Sequence, residues 1–219
     1  MFIGHFGVGF AGKKPGKEVS LGTLFMAAQW LDLVWPIFLL LNIEVVKIHP
    51  GDTKMTPLNF EFYPFSHSLL YAFIWSVIFG SVYFLIKGNT KNSIILGLFV
   101  MSHWVLDLFV HRPDLPLYPG GAMEGFGLWN YPAVAIPLEV LIFIGGVYLY
   151  LSSTKSKNKT GTIALWGLII FLVIIYIMNL SGSAPPDEKT IAYVSMAQWI
   201  IIFWAYWADK NREQITNNK

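Results

Sequence analysis

The amino-acid sequence predicts an all-α integral membrane protein, on three observations about its composition and hydropathy. Of its 219 residues, 55% are hydrophobic and 13% are charged, against about 25% charged in ordinary domains. Aromatic residues make up 16% of the chain. They bring more apolar surface than a soluble domain of this length can bury. Six stretches approach the roughly 20 apolar residues that a membrane-spanning helix needs. The net charge of +2 speaks against nucleic-acid binding, and the lack of cysteine excludes disulfides and thiolate metal ligands.

Six transmembrane helices are predicted, at residues 21–43, 68–86, 92–110, 131–151, 160–181 and 190–208. Pro36 and Pro137 fall inside two of them, which membrane helices tolerate. Residues 1–12 are apolar but too few to span the membrane. Lysines follow this stretch, whereas in a secretory signal the positive charge precedes the apolar region. We expect a retained half-membrane or re-entrant helix there, whose glycines allow close packing.

The predicted domain organisation is a single membrane domain, 1–219, with a metal-site half and a scaffold. The ionisable residues within the membrane all lie in the first half, 1–151. Residues 152–219 are expected to form a scaffolding helical hairpin and a cytoplasmic tail. No internal repeat or low-complexity tract divides the chain.

The positions of the lysines and arginines predict the orientation of the spans. Eleven of the 15, Lys219 included, lie before span one, after spans two and four, or in the tail, and four lie in the other loops. Basic residues are concentrated in cytoplasmic loops. We therefore expect a multi-pass protein of the inner, cytoplasmic membrane, with both ends of the six-span core in the cytoplasm. The long loops 44–67 and 111–130 should then face outward.

Ionisable side chains at membrane depth are the candidate functional residues, because charge is costly in hydrocarbon. His103, Asp107 and His111 are spaced by four residues, so a continuous helix would present all three on one face. Imidazole and carboxylate are the ligands that Zn²⁺ uses without cysteine. With His67 and Asp32 added, there are more ligand groups than the four that one tetrahedral zinc ion binds. The pattern predicts one or two zinc ions, or another divalent metal, with Asp107 the natural bridge.

The order of four short motifs resembles a bacterial family. The motifs are Gly4-His5, a first span with Asp32, Phe65-Ser66-His67-Ser68, and Ser102-His103-Trp-Val-Leu-Asp107. They are similar to the inner-membrane metal-dependent hydrolases of the YdjM-like group, whose pattern has an early Gly-His, a Pro-Asp-x-Asp, a Thr-His-Ser and a Ser-His-x-x-x-Asp. The resemblance covers residues 1–115. This chain has one carboxylate, Asp32, where the family usually has two.

The resemblance implies a metal-ligand set. The YdjM-like group is distantly similar to zinc-dependent phospholipase C and P1-type nucleases, which are all-helical. Carried over residue by residue, the metal-ligand positions fall on His5, Asp32, His67, His103 and Asp107. His111 falls in the place of a further histidine that follows this motif in the soluble relatives. Glu139 has no counterpart in the pattern.

These residues predict a membrane-embedded metal-dependent hydrolase that cleaves an amphiphilic, phosphoester-containing lipid or lipid-linked substrate with metal-activated water. Asp32 or Glu139 would act as the general base. Three alternatives stay open: a zinc-dependent lipid amidase of ceramidase type, a metal or proton transporter, and a non-enzymatic membrane protein with a structural metal. The lack of repeats favours an outward-opening site over a transport pathway. We expect the Gly/Pro-rich loop 111–130 to cap that site as a lid.

Overall fold

A computed structural model describes residues 1–215, and Lys219, counted above in the tail, lies outside the described residues. The described part is mostly helical. The helices are α1 Ile3–Ala11, α2 Leu21–Ala28, α3 Trp30–Leu40, α4 Pro64–His67, α5 Leu69–Lys87, α6 Thr90–Val110, α7 Pro132–Ser153, α8 Lys159–Ser181, α9 Glu188–Met196 and α10 Gln198–Lys210, with a 3₁₀ turn at Leu128–Asn130. The strands are β1 Val45–Ile48, β2 Leu58–Phe62, β3 Leu115–Pro116, β4 Met123–Glu124, β5 Thr154–Ser156 and β6 Arg212–Gln214.

The helices confirm a membrane-embedded, mostly helical protein. Within residues 1–215, five helical segments are long and apolar enough to cross a membrane: α5, α6, α7, α8 and the continuous stretch α9–α10. The pair α2 and α3 is bent by 60° and makes a sixth if it is one span. Large apolar side chains cover the outer faces, with Leu85 82% and Leu141 68% exposed. Such surfaces suit hydrocarbon, because soluble proteins rarely expose large contiguous apolar patches.

Three short antiparallel ribbons were not predicted from the sequence. Strands β1 and β2, β3 and β4, and β5 and β6 each pair as a two-stranded sheet. They connect or flank helix ends, where hydrogen bonds between two strands satisfy the backbone locally. The longest, β1–β2, lies in the loop 44–67 that precedes the short helix α4.

The predicted span 21–43 is broken rather than straight. Gln29 ends α2 with φ −103° and ψ 6° and begins α3. At such a break the last carbonyls of the first helix lose their partners within the helix. One of them, Ala28 O, lies 2.8 Å from the ring nitrogen His103 Nδ1. The break also places Asp32 in the first turn of α3. The break therefore supplies the Ala28 carbonyl and the Asp32 side chain to the site described below.

Helix α1 lies in the middle of the bundle. Seven of its nine residues are buried, and it packs against α2, α6 and α7. Gly7 lies at a close crossing with α7: a Cβ there would lie 2.6 Å from Ile142 O and 2.7 Å from Phe143 Cα, both backbone atoms of α7. A glycine is needed at this crossing because no side chain fits between the two backbones. The predicted short N-terminal helix is present, enclosed by protein on several sides.

Loops that the charge pattern assigns to one membrane side also lie together. At the lysine-rich end, Lys13 Nζ and Tyr150 OH donate hydrogen bonds to Asp209 at 2.8 and 2.6 Å, joining the ends of α1, α7 and α10. At the opposite end, Arg112 Nη1 pairs with Asp52 Oδ2 at 3.1 Å, joining loops 44–67 and 111–130. The grouping of the loops is therefore the one that the sequence predicts.

Candidate metal centre

Three predicted ligands, all histidines, converge on the buried carboxylate of Asp107, which comes from α6. His5 Nε2 on α1 lies 3.1 Å from Asp107 Oδ1. His103 Nε2, one turn earlier on α6, lies 3.2 Å from Oδ2, and His67 Nε2, at the end of α4, lies 3.9 Å from Oδ2. Asp32 completes the cluster, with Oδ1 3.3 Å from His67 Nε2 and 3.7 Å from His103 Nε2.

Two of the histidines have their ring orientation fixed by a second contact. His103 Nδ1 donates to Ala28 O at 2.8 Å, which leaves the Nε2 lone pair directed at the cluster. His67 Nδ1 lies 2.7 Å from Ser66 Oγ, and Ser66 Oγ in turn donates to Glu44 Oε2 at 2.6 Å. Metal-binding histidines commonly donate their other ring nitrogen to such a partner, which sets tautomer and direction.

Glu44 anchors this second contact from the loop after α3. Its Oε1 accepts hydrogen bonds from the backbone N–H groups of Phe65 and Ser66, both at 2.8 Å. Burial raises the pKa of Glu44, and the hydrogen bonds from Ser66 and Phe65 offset part of that effect. The carboxylate therefore holds the short helix α4, and with it His67, in place.

The cluster meets the requirements of a metal site. Two groups of three offer ligand atoms within 4.8 Å of one another: His5, His103 and Asp107, and Asp32, His67 and His103. His103 Nε2 is buried and, although Asp107 Oδ2 lies 3.2 Å away, it makes no hydrogen bond among the described residues, since the ring proton is on Nδ1. A buried polar atom is costly unless it is paired, and a metal ion is a partner that an imidazole lone pair suits. Residues 1–107 thus provide a buried His/Asp group that could hold a metal ion.

His5 and His103 also stack on each other. Their ring centroids are 3.7 Å apart and the planes differ by 2°. The two stacked rings place one Nε2 atom near each oxygen of the Asp107 carboxylate. The amino group of Met1 lies 2.5 Å from Asp107 Oδ1, beside His5.

His111 lies outside both groups of ligands in the described structure. Helix α6 ends at Val110, and His111 follows in extended conformation, with ψ 142°. Its Nδ1 lies 2.9 Å from Asp114 Oδ1 and 3.2 Å from Tyr63 OH. Burial lowers the pKa of His111. The argument from one helix face therefore holds for His103 and Asp107 but not for His111, because the helix stops before it.

Glu139 is adjacent to the cluster but binds backbone. Its Oε2 accepts hydrogen bonds from the N–H groups of Phe2 and Gly4, at 2.9 and 3.3 Å. These are among the N-terminal N–H groups of a helix that lack partners within it. Glu139 therefore fixes the start of α1 on α7 and so helps to position His5.

A cavity of about 690 Å³ leads to the cluster. Asp32, His67 and Asp107 are among its lining residues, together with His111 and Glu139. Of the five ligand side chains only Asp32 is substantially open, at 25% exposed, against at most 4% for the others. The volume lies within the roughly 300–1,000 Å³ typical of small-molecule sites.

The β1–β2 turn contributes more residues to the cavity lining than loop 111–130 does. Of residues 111–130, His111 and Trp129 line the cavity, whereas the turn between β1 and β2 contributes residues 50–51 and 53–57. Helices α8 and α9 and the start of α10 also line it. Loop 111–130 contains the β3–β4 ribbon and the Arg112–Asp114 contact, and its role as a lid stays a prediction.

Sequence reasoning missed the residues that support the ligands. Glu44, Ser66 and the Ala28 carbonyl orient the two histidines, and no spacing rule connects Glu44 to His67. An acidic residue next to a span end and a serine preceding a histidine were the available signals. Both are common elsewhere and become informative only in three dimensions.

Comparisons of the chain with protein-family models, with curated proteins and with solved structures gave no match.

Proposed function

We propose that the protein is a membrane-embedded metal-dependent hydrolase of amphiphilic phosphoester substrates. One observation carries the proposal: three imidazole Nε2 atoms lie within 4 Å of the Asp107 carboxylate, which lines a cavity between apolar helices. Such a convergence of ionisable groups inside a membrane protein is costly and marks a functional site.

The ligands fit zinc better than calcium or magnesium, because imidazole nitrogen suits the softer ion. His5, His103 and Asp107 would hold one ion, and Asp32, His67 and His103 form the second possible group, so two ions would have to share His103. Zinc in such a site lowers the pKa of bound water to about 7 and polarises the bond to be cleaved.

The chain's own residues would orient the substrate and move a proton. Asp32 is the ligand-group carboxylate most open to the cavity, so it is placed to accept the proton of the attacking water. Water then forms a bond to phosphorus, the P–O bond to the alcohol breaks, and the alkoxide takes up a proton. Glu139 is engaged by Phe2 and Gly4, which favours Asp32 as the base.

We further propose that the end of the molecule that carries Asp52 and Arg112 faces away from the cytoplasm. The lysine-rich opposite end supports this orientation. The cavity would then serve substrates of the outer leaflet of the cytoplasmic membrane.

The test combines metal analysis with a substrate panel. Protein purified in detergent is analysed by plasma mass spectrometry, and mixed micelles of phosphatidic acid, phosphatidylcholine and ceramide are assayed for released phosphate, phosphoester and fatty acid. We expect bound zinc and phosphoester cleavage. His103→Ala should lose both, whereas His49→Ala, an exposed histidine of the β1–β2 turn, should keep both.

Other outcomes would assign a different function. Release of fatty acid from ceramide without phosphoester cleavage would indicate the amidase. Zinc flux into proteoliposomes without hydrolysis of any lipid would indicate the transporter. Full zinc content and activity in His103→Ala would exclude this cluster as the active site.

A further inference from the structure

Helices α8 and α9 diverge next to the cavity. Within residues 1–215, α9 packs against α3 and β1, whereas α10 packs against α2 and α8. The two segments of this continuous span meet at Ala197, between Met196 and Gln198. Lys47 Nζ and Glu188 Oε1, 3.6 Å apart, tie the start of α9 to β1. The last span therefore packs against α8 along α10 and against α3 along α9.

The cavity fills the space left by this divergence. Ile175 and Asn179 of α8 line one side, and Ile191 and Val194 of α9 line the other. Val194 is 67% exposed and still lines the cavity. Because α8 and α9–α10 are long and apolar enough to span a membrane, the surface beside Val194 faces hydrocarbon. The cavity is thus continuous with the space that lipid tails occupy.

The lining of the cavity is partly ionisable and partly apolar. Asp32 and His67 provide ionisable groups, and Ile191, Val194 and Ile200 are among the apolar residues. Gln198 also lines the cavity, and its buried Oε1 has no hydrogen-bond partner among the described residues. An amphiphile has the matching set of groups, with a polar head, a linkage that can donate or accept hydrogen bonds, and an apolar chain. A water-soluble phosphate ester would leave the apolar part uncovered.

Lys54 gives the cavity lining a positive charge. It lies on the β1–β2 turn and is the one lysine or arginine among the described residues that line the cavity. An ammonium group there favours an anionic headgroup such as a phosphate.

We propose that the substrate is a membrane lipid with an anionic headgroup, which reaches the Asp107 cluster sideways from the bilayer between α8 and α9 and leaves its acyl chain in that gap. This proposal deepens the proposed function. The cleavage of the lipid rests on that function, whereas the binding of the lipid in the gap rests on the shape and lining of the cavity alone. The region 152–219 is then a substrate-binding wall in addition to a scaffold.

Photolabelling tests the route independently of cleavage. The probe is phosphatidic acid with a diazirine in one acyl chain, incorporated into phosphatidylcholine vesicles that contain the full-length protein. After irradiation, labelled peptides are identified by mass spectrometry, with and without excess unmodified phosphatidic acid. We expect labelling in α8 and α9 that excess phosphatidic acid competes away, whereas non-specific labelling of α5 persists because vesicle lipid contacts that helix everywhere.

Two substitutions separate the gap from the lipid-facing surface. Val194→Trp places an indole in the gap without disturbing a buried core, since Val194 is mostly exposed. It should reduce competable labelling about tenfold or more, the factor that corresponds to the loss of about two buried methylene groups. Ile163→Trp is the matched control: Ile163 lies on α8, is 68% exposed and does not line the cavity. The Ile163→Trp variant should be labelled to the same extent as the unmodified protein.

The outcomes distinguish the route from the reaction. Competable α8 and α9 labelling that persists in His103→Ala supports the route even if no hydrolysis is found. Hydrolysis with competable labelling confined to other helices, or labelling unchanged in Val194→Trp, overturns the route and leaves the proposed hydrolase intact. Equal competition by water-soluble glycerol phosphate would likewise overturn it, since a chain in the gap would then add nothing to binding.

Discussion

Substituting Gly7 by alanine tests whether the close contact of α1 with α7 sets the position of His5. A Cβ on Gly7 would lie 2.6 Å from Ile142 O, and ordinary van der Waals contact begins at 3.4 Å. Because the opposing atoms are backbone, α1 has to move away from α7 by the difference, about 0.8 Å. Metal sites tolerate deviations of about 0.2 Å in ligand distances. His5, two residues along α1, is therefore displaced by more than its role as a ligand allows.

The matched control is Gly145→Ala on α7, where a Cβ meets no described atom within 4 Å. Both variants gain the same helix propensity, about 1 kcal/mol, so the difference between them isolates the steric overlap. Overpacking of this kind costs about 1–3 kcal/mol. At about 2–4 °C for each kcal/mol in a chain of this length, Gly7→Ala should melt about 2–12 °C below Gly145→Ala.

The assays are thermal unfolding in detergent and zinc competition with a chelator. We expect Gly7→Ala to bind zinc about tenfold more weakly or worse, the loss that follows when the support of a ligand is disturbed. Gly145→Ala should bind zinc as the unmodified protein does. If both variants melt together and hold zinc equally well, the contact between α1 and α7 does not position His5.

Three further predictions concern the support of the site, the helix ends and the topology. Glu44→Gln should weaken zinc binding about 10–100-fold in chelator competition, because Ser66 loses the carboxylate that orients His67; unchanged affinity would remove Glu44 from that role. Asp209→Ala breaks a buried pair and should destabilise the protein by about 3–5 kcal/mol in thermal or denaturant unfolding, whereas Glu213→Ala, in an exposed pair, should cost below about 1 kcal/mol; equal losses would contradict the distinction. In intact cells an impermeant thiol reagent should label Lys54→Cys and not Lys155→Cys, and the reverse result would invert the proposed orientation.

The sequence predicted most of the fold because hydrocarbon imposes a simple rule on it. A helix that crosses a bilayer must be apolar over about 20 residues, and that pattern is local. The grouping of loops at two ends followed from the lysines by the same kind of local count. The break at Gln29 was not predictable. The residues around it, from Ala28 to Asp32, carry no helix-breaking signal, and the sequence before and after the break is apolar.

The candidate site was likewise predictable from the sequence only in part. His103 and Asp107 were predictable together, since four residues of helix place them one above the other. Their meeting with His5 and His67 followed only as an implication of the family resemblance, and His111, which follows the end of α6, lies outside both groups of ligand atoms.

By itself, the sequence determined that the chain is membrane-embedded and helical, and which ionisable residues are available inside it, because composition and hydropathy act residue by residue. Only the tertiary structure decided which of these residues meet, that Glu44 and Glu139 hold them in place, and that the cavity reaches between α8 and α9. Those features depend on contacts between residues as far apart as Phe2 and Glu139. Such contacts arise from the packing of whole helices, which no local pattern records.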